Sequence, residues 1–262
     1  MRIARNPFMD EGVRSYFFQQ TILRSYLALV GVVGLSLFLW WPRVSFEEVL
    51  RSGVSPGTYT AVAISLYLCL TYLGARYGSE GFSPEAQVQL REYVLLTPVP
   101  IASIVAGKAM FALLHTVFLL ALGAPFLLAS LAVSGGGLSL ILPALLVIGA
   151  ATFAVRMYGL LALVLLESRQ VALDVTLVLG IILFLILTAL SVPAANPIVA
   201  IMSILPRDEV AAGPIRFPFG SIPFFSLSAI MSLLAALVLA GVALACLGGV
   251  RSSARTKKSG TR

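Results

Sequence analysis

The sequence predicts an all-α polytopic membrane protein, and three observations predict it. Hydrophobic residues make up 59% of the chain and charged residues only 11%, with a mean hydropathy of +1.00. A soluble domain carries roughly 25% charged residues, so lipid must be the solvent for most of this chain. The apolar residues gather in six runs, at 25–41, 58–75, 101–133, 138–166, 171–192 and 222–250. Each is close to or above the ~20 residues that cross a bilayer. Lys and Arg collect at one set of run ends. Arg2, Arg5, Arg14, Arg24, Arg76, Arg91, Lys108, Arg169 and the basic tail 251–262 fall on one side, and only Arg43, Arg51, Arg207 and Arg216 on the other. The positive-inside bias then puts both termini in the cytoplasm. The whole of 1–262 reads as a single transmembrane domain in the cell inner (cytoplasmic) membrane.

Residues 7–24 mix Phe8, Val13, Phe17 and Leu23 with Asp10, Glu11, Arg14, Gln19 and Gln20. A helix of that pattern is amphipathic and lies along the membrane surface. The first span ends at Trp40-Trp41-Pro42, with no small-residue cleavage site, so it is expected to stay as an anchor. Trp40, Trp41 and Tyr59 are expected at the outer headgroup level. Pro125 and Pro143 are expected kink points. Gly31, Gly34 and Gly180 are expected to mark close helix packing. The stretch 193–222 has apolar pieces too short to cross and reads as an extracytoplasmic re-entrant or interfacial segment between the last two spans. The tail 251–262 reads as disordered.

Between the second and third runs the pattern changes. Ser83 is a good N-cap, Pro84 sits where a missing N–H costs nothing, and Glu85 favours the positive end of the helix dipole. Pro98 and Pro100 end the helix. Its faces mix Val88, Val94, Leu95 and Leu96 with Gln87, Gln89, Arg91 and Glu92. Two readings stand: a cytoplasmic helix, 83–97, that docks on a partner, or an interfacial helix that only joins two spans.

The run Glu92-Tyr93-Val94-Leu95-Leu96-Thr97-Pro98, followed by Ile104-Val105-Ala106-Gly107-Lys108, resembles the membrane subunits of ATP-binding-cassette (ABC) exporters of the type-2 class, which show a run like GTLELLLLTP and then IVLGK. Asn6-Pro7, residues 159–169, Asn196-Pro197 and residues 201–205 are similar in kind and order. The family's usual Gly-Thr falls at Gln89-Leu90 here, and Arg91 stands where an apolar residue is usual. The resemblance implies a permease subunit that pairs with a second permease chain, identical or not. Each permease rests on a nucleotide-binding ATPase subunit that carries ATP and Mg. Glu85, Gln87, Gln89, Arg91, Glu92 and Thr97 are then the coupling residues. The chain's only Gly-Lys pair, Gly107-Lys108, has no glycine five residues earlier and is followed by Ala109, so it is no phosphate loop. No cofactor is expected on this chain, and it is expected not to be an enzyme.

Other classes fare less well. The net charge of +7 sits beside the spans, so nucleic acid is not an expected partner, whereas membrane lipid is. Cys69 and Cys246 lie in apolar runs and read as small core residues. A lone histidine, His115, gives no metal spacing. An ion- or proton-coupled carrier, the alternative reading, needs carboxylates near the midplane, and only Glu167 and Asp174 lie close to a span. Two polar side chains within spans remain. His115 reads as a packed, hydrogen-bonded residue. Arg156 lies roughly 16 Å along its helix from the cytoplasmic end. At the bilayer centre an arginine costs about 2.5–3.5 kcal/mol on insertion scales. It is expected to face a partner helix, a water-filled translocation path or the dimer seam, either as a path contact or as a satisfied interhelical hydrogen bond, or else to snorkel if the span boundary lies elsewhere.

Overall fold

The computed structural model describes residue 13 and residues 20–42, 56–79, 94–95, 99–166, 168–189, 196–204, 215–217 and 220–259. Helices dominate. In chain order they are α1 (Gln20–Leu39), α2 (Pro56–Gly78), α3 (Ile101–Val133), α4 (Ile141–Leu166, after a 3₁₀ turn at Leu138–Leu140), α5 (Arg169–Ala189), the short α6 (Pro197–Met202) and α7 (Phe224–Ser259). Among the described residues five stretches are long and apolar enough to cross a membrane: Ile22–Leu39, Gly57–Gly78, Ile101–Val133, Leu138–Leu166 and Phe224–Val250. These match five of the six runs to within a few residues, because a run of Leu, Val, Ile and Ala can satisfy its backbone in lipid only as a helix. The remaining run forms α5, a helix of 21 residues that is not among those five.

The helices alternate in direction, so the bundle has two ends. One carries Trp40, Trp41 and Ser134 and will be called the tryptophan end. The other carries Arg24, Arg76, Lys108 and Arg169 and will be called the basic end. At the tryptophan end α3 stops in a Schellman turn. Gly135 adopts φ 74°, its N–H reaches the Ala132 carbonyl at 3.3 Å, and that of Gly136 reaches the Leu131 carbonyl at 2.9 Å. Ser134, the cap residue, then serves the next helix too: its hydroxyl accepts from the Tyr59 N–H at 3.2 Å, one of the first-turn donors that α2 cannot satisfy itself. The Thr58 hydroxyl donates to the Trp40 carbonyl at 2.7 Å. Trp40 and Trp41 are exposed, but Tyr59 is fully buried and does not sit at headgroup level. Its hydroxyl donates to the Ile201 carbonyl of α6 at 3.3 Å. The short helix folds in over it, which sequence periodicity could not register.

Within 193–222 the described residues hold two kinds of structure. Asn196 caps α6 by accepting from the Ile198 N–H at 3.0 Å, with Pro197 in the first turn. Ile215–Phe217 and Gly220–Ile222 then pair as an antiparallel hairpin, with Ile215 opposite Ile222 and Phe217 opposite Gly220. The hairpin had no counterpart in the helical reading of this stretch. The tail also differs from expectation: α7 continues unbroken to Ser259 instead of becoming disordered after Val250. No proline interrupts it. Pro143 is the third residue of α4, where it displaces no helical bond, and so is not an interior break; Pro125 lies inside α3.

The crossing of α2 on α4 brings backbone close to backbone, and it is made by glycines. A Cβ on Gly78 would come within 2.5 Å of the Arg156 carbonyl oxygen, and one on Gly159 within 2.9 Å of the Ser79 nitrogen. Gly74, one turn before Gly78, faces Thr152 and the Arg156 stem at 3.2–3.3 Å. In lipid no hydrophobic force separates helix–helix from helix–lipid contact, so such close approach supplies the packing energy. Gly34 meets Phe126 at 3.2 Å, but Gly31 and Gly180 face open space and mark no close contact. Apolar burial falls into two main clusters. One, toward the tryptophan end, joins α1, α2, α3, α4, α6 and Phe224. The other, at the basic end, joins Ile104, Leu160, Val164, Ala172, Ala243 and Leu247.

Gly78→Ala and Gly159→Ala are expected to destabilise the fold by about 1–3 kcal/mol each through overpacking. Gly241→Ala, where nothing lies within 4 Å, should be neutral or slightly stabilising. Unfolding in mixed micelles reads the difference.

Candidate functional site

A buried polar node sits between the two apolar clusters, and Arg156 is its centre. The residue is 2% exposed, and it is the largest fully buried side chain described. The α2–α4 crossing places it, since Gly74 and Gly78 let α4 approach closely enough for the arginine stem to pass beneath α2 toward α3. One terminal nitrogen, Nη1, donates to the Ala112 carbonyl at 2.9 Å and to the Thr116 hydroxyl at 3.3 Å. The other, Nη2, bonds His115 Nδ1 at 2.9 Å. The guanidinium carbon stands 5.8 Å from the Tyr77 ring centroid and 5.9 Å from that of Phe111. Ring faces carry negative charge toward a cation, which offsets part of the lost hydration.

The hydrogen-bond directions follow from chemistry. A guanidinium can only donate, so His115 Nδ1 must offer its lone pair and the ring proton sits on Nε2. That Nε2–H then donates to the Tyr26 hydroxyl at 2.7 Å. The imidazole is held flat by Phe111, whose ring centroid lies 5.6 Å away at 20°, and by Phe118 at 6.3 Å and 18°. Tyr77 packs on it at 5.1 Å. Thr116 returns its own proton to the Ala112 carbonyl at 2.8 Å. The chain Arg156–His115–Tyr26 thus joins α4, α3 and α1 through one directed set of donors.

The node is not at mid-depth of α2. Arg156 packs beside Gly78, the last residue of that helix, whereas α3 and α4 run on toward Ile101 and Leu166. It therefore lies toward the basic end, level with the point where the chain leaves α2. His115 and Arg156 were visible in sequence as polar residues in apolar runs. Tyr26, Tyr77, Phe111 and the Ala112 carbonyl were not singled out. Phe111, Ala112, His115 and Thr116 do repeat at helical spacing on α3, which is the one local signal. Nothing local links Tyr26 to them.

The second element of interest is the stretch before Lys108. Its coupling candidates Glu85, Gln87, Gln89, Arg91, Glu92 and Thr97 lie outside the described residues. Val94 and Leu95 are described: both are helical, and they differ sharply, with Val94 at 0% exposure and Leu95 at 47%. Val94 inserts into the basic-end cluster among Ile104, Val105, Leu160–Val164, Ala172 and Leu247. Pro100 precedes α3 as its cap residue, at φ −59° and ψ 133°, with φ fixed by its ring. On α5, Asp174 accepts from the exposed Gln170 amide at 3.1 Å. Cys69 and Cys246 are both free thiols. Among the described residues no three His, Cys, Asp or Glu side chains come together in a way that could hold a metal ion.

Comparison of the chain with protein-family models, with curated proteins and with solved structures finds no match.

Arg156→Leu should lower the stability of the folded bundle, and Arg156→Lys should rescue it only in part, since a single ammonium cannot span the three acceptors. In a double-mutant cycle, Tyr26→Phe and His115→Phe should couple by about 0.6–1.7 kcal/mol. Additive losses would mean that the Tyr26–His115 bond carries no energy.

Proposed function

We propose that this chain is the membrane-spanning permease subunit of an ATP-driven ABC exporter of the type-2 class. In this reading α5 is the sixth span, the basic end faces the cytoplasm with both termini, and two permease chains pair in the cell inner membrane. A separate nucleotide-binding subunit binds ATP and Mg. Closure of that subunit pushes on the helix at 83–97, the bundle rearranges, and substrate moves outward.

One observation supports this most. Val94 is buried among the basic ends of α3, α4, α5 and α7 while its neighbour Leu95 stays exposed. A segment anchored through Val94 against four helices can transmit a push to all of them. A helix that merely joined two spans would need no such seat. The run Leu95-Leu96-Thr97-Pro98 and Gly107-Lys108 flank the seat in the order that the resemblance requires. Arg156 and its partners have a structural part in this mechanism: they keep α1, α3 and α4 moving as one unit near the level of the push.

The test is uncoupling. Glu92→Arg, or deletion of residues 87–91, should abolish export and reduce permease-stimulated ATP hydrolysis toward the basal rate, while membrane insertion is unchanged. If transport and stimulated hydrolysis persist in both variants, the helix does not couple. If the purified chain moves cargo down an ion gradient without an ATPase, a secondary carrier replaces this reading.

A further inference from the structure

α7 outlasts its own span. The part of it that is long and apolar enough to cross a membrane is Phe224–Val250, yet the helix runs on to Ser259. Among the described residues its last buried side chain is Leu247, which packs in the basic-end cluster with Ile104, Val164 and Ala172. From Arg251 the extension reads Arg-Ser-Ser-Ala-Arg-Thr-Lys-Lys-Ser, with Ala254 as its one apolar residue. It therefore has no apolar stripe with which to pack on the bundle or sink into the lipid interface. Ser252 is exposed, and its hydroxyl donates back to the Gly249 carbonyl at 2.9 Å. What the extension does have is charge of a single sign. No Asp or Glu follows Glu209 in the sequence, so no carboxylate along α7 offsets these cations. Continuation as a helix also fixes their register. Arg251, Arg255 and Lys258 stand at i, i+4 and i+7, within about 60° of one another around the axis at 3.6 residues per turn, whereas Lys257 falls about 100° from Lys258. Like charges at i, i+4 repel and work against the helix that aligns them. The positive-inside bias accounts for cations beside a span but asks nothing of their register.

We infer that this stripe binds an anionic lipid surface, through the phosphate groups of acidic phospholipids in the leaflet at the basic end. Position and composition select that partner. The stripe starts at the residue after Val250, where the span ends. Lys258 lies at most about 12 Å beyond that point, against a headgroup layer of about 5–8 Å on each side of the hydrocarbon and a Debye length of about 8 Å at physiological salt. Covalent continuity thus holds every cation of the stripe within reach of headgroup phosphates, whereas a soluble polyanion would have to be recruited. A cluster of Lys and Arg immediately beside a span is the pattern that draws acidic lipids together. An extension without apolar side chains gains nothing from neutral lipid, so the preference is one of charge and not of insertion. The inference does not rest on the permease reading and holds for any transport class.

The test uses the full chain in phosphatidylcholine nanodiscs with Cys69→Ala, Cys246→Ala and Ser252→Cys, the last carrying a fluorophore. Nitroxide-labelled phosphatidylglycerol, added as a trace, should quench it several-fold more than nitroxide-labelled phosphatidylcholine at low salt, and high salt should remove the excess. Equal quenching by the two lipids overturns the inference, and that comparison depends on no charge variant inserting or folding. Arg255→Gln with Lys258→Gln should abolish most of the excess. Arg255→Gln with Lys257→Gln, the same loss of charge out of register, should abolish clearly less. Equal losses from the two pairs overturn the stripe. Displacement of the labelled phosphatidylglycerol by tRNA at equal phosphate concentration overturns the lipid assignment in favour of a soluble polyanion. None of these outcomes bears on the coupling test at Glu92.

Discussion

Everything at the centre of this bundle depends on finding acceptors for one guanidinium. A buried arginine cannot shed its charge, so the surrounding helices must offer lone pairs and ring faces at fixed positions. α3 supplies most of them from a single turn: the Ala112 carbonyl, the Thr116 hydroxyl and His115 Nδ1. α1 enters only through Tyr26 and the imidazole. The cost of the charge is thereby turned into orientation. Three helices that could otherwise rotate past one another in lipid share a single set of directed bonds, and the glycine crossing with α2 limits how far the arginine backbone can shift.

The node also divides the core. Toward the tryptophan end the buried residues are large and aromatic as well as aliphatic, with Tyr26, Tyr59, Tyr67, Tyr77 and Phe111 among Leu and Val. Beyond the node they are almost all Leu, Val, Ile and Ala. The aliphatic half packs pieces of α3, α4, α5, α7 and the segment at Val94 against one another, while the other half adds to its packing bonds such as Tyr59 to Ser134 and Ser65 to Ser36 at 3.0 Å.

The amount legible in the sequence divides along the same physical line. Span positions were readable because a continuous apolar run has one solution in lipid, and the observed bounds of α3 coincide with the run at 101–133. Asn196 and Pro197 stood out only through the resemblance, and the cap and first turn they give α6 went unread. What depends on distant residues was not readable. Tyr59 looks like an interfacial aromatic until α6, more than a hundred positions later, covers it. Of the glycines singled out only Gly34 packs closely, on Phe126; Gly78 and Gly159 matter because they face α4 and α2 across the crossing, and nothing in either local context says so. The tail was misread because low hydrophobicity argues against burial, yet a helix already nucleated by a long span needs no burial to continue. Arg156 and His115 stood out singly, but their bond, across forty-one positions, could not be read.

α2 is fastened at both extremities by different means. Near one, Thr58 and Tyr59 bond to Trp40, Ser134 and Ile201; near the other, Gly74 and Gly78 lie flush on the backbone of α4. A rod clamped in this way resists sliding along its own axis. A displacement of α4 near Gly78 would therefore be passed along α2 to the small capped helix at its far end.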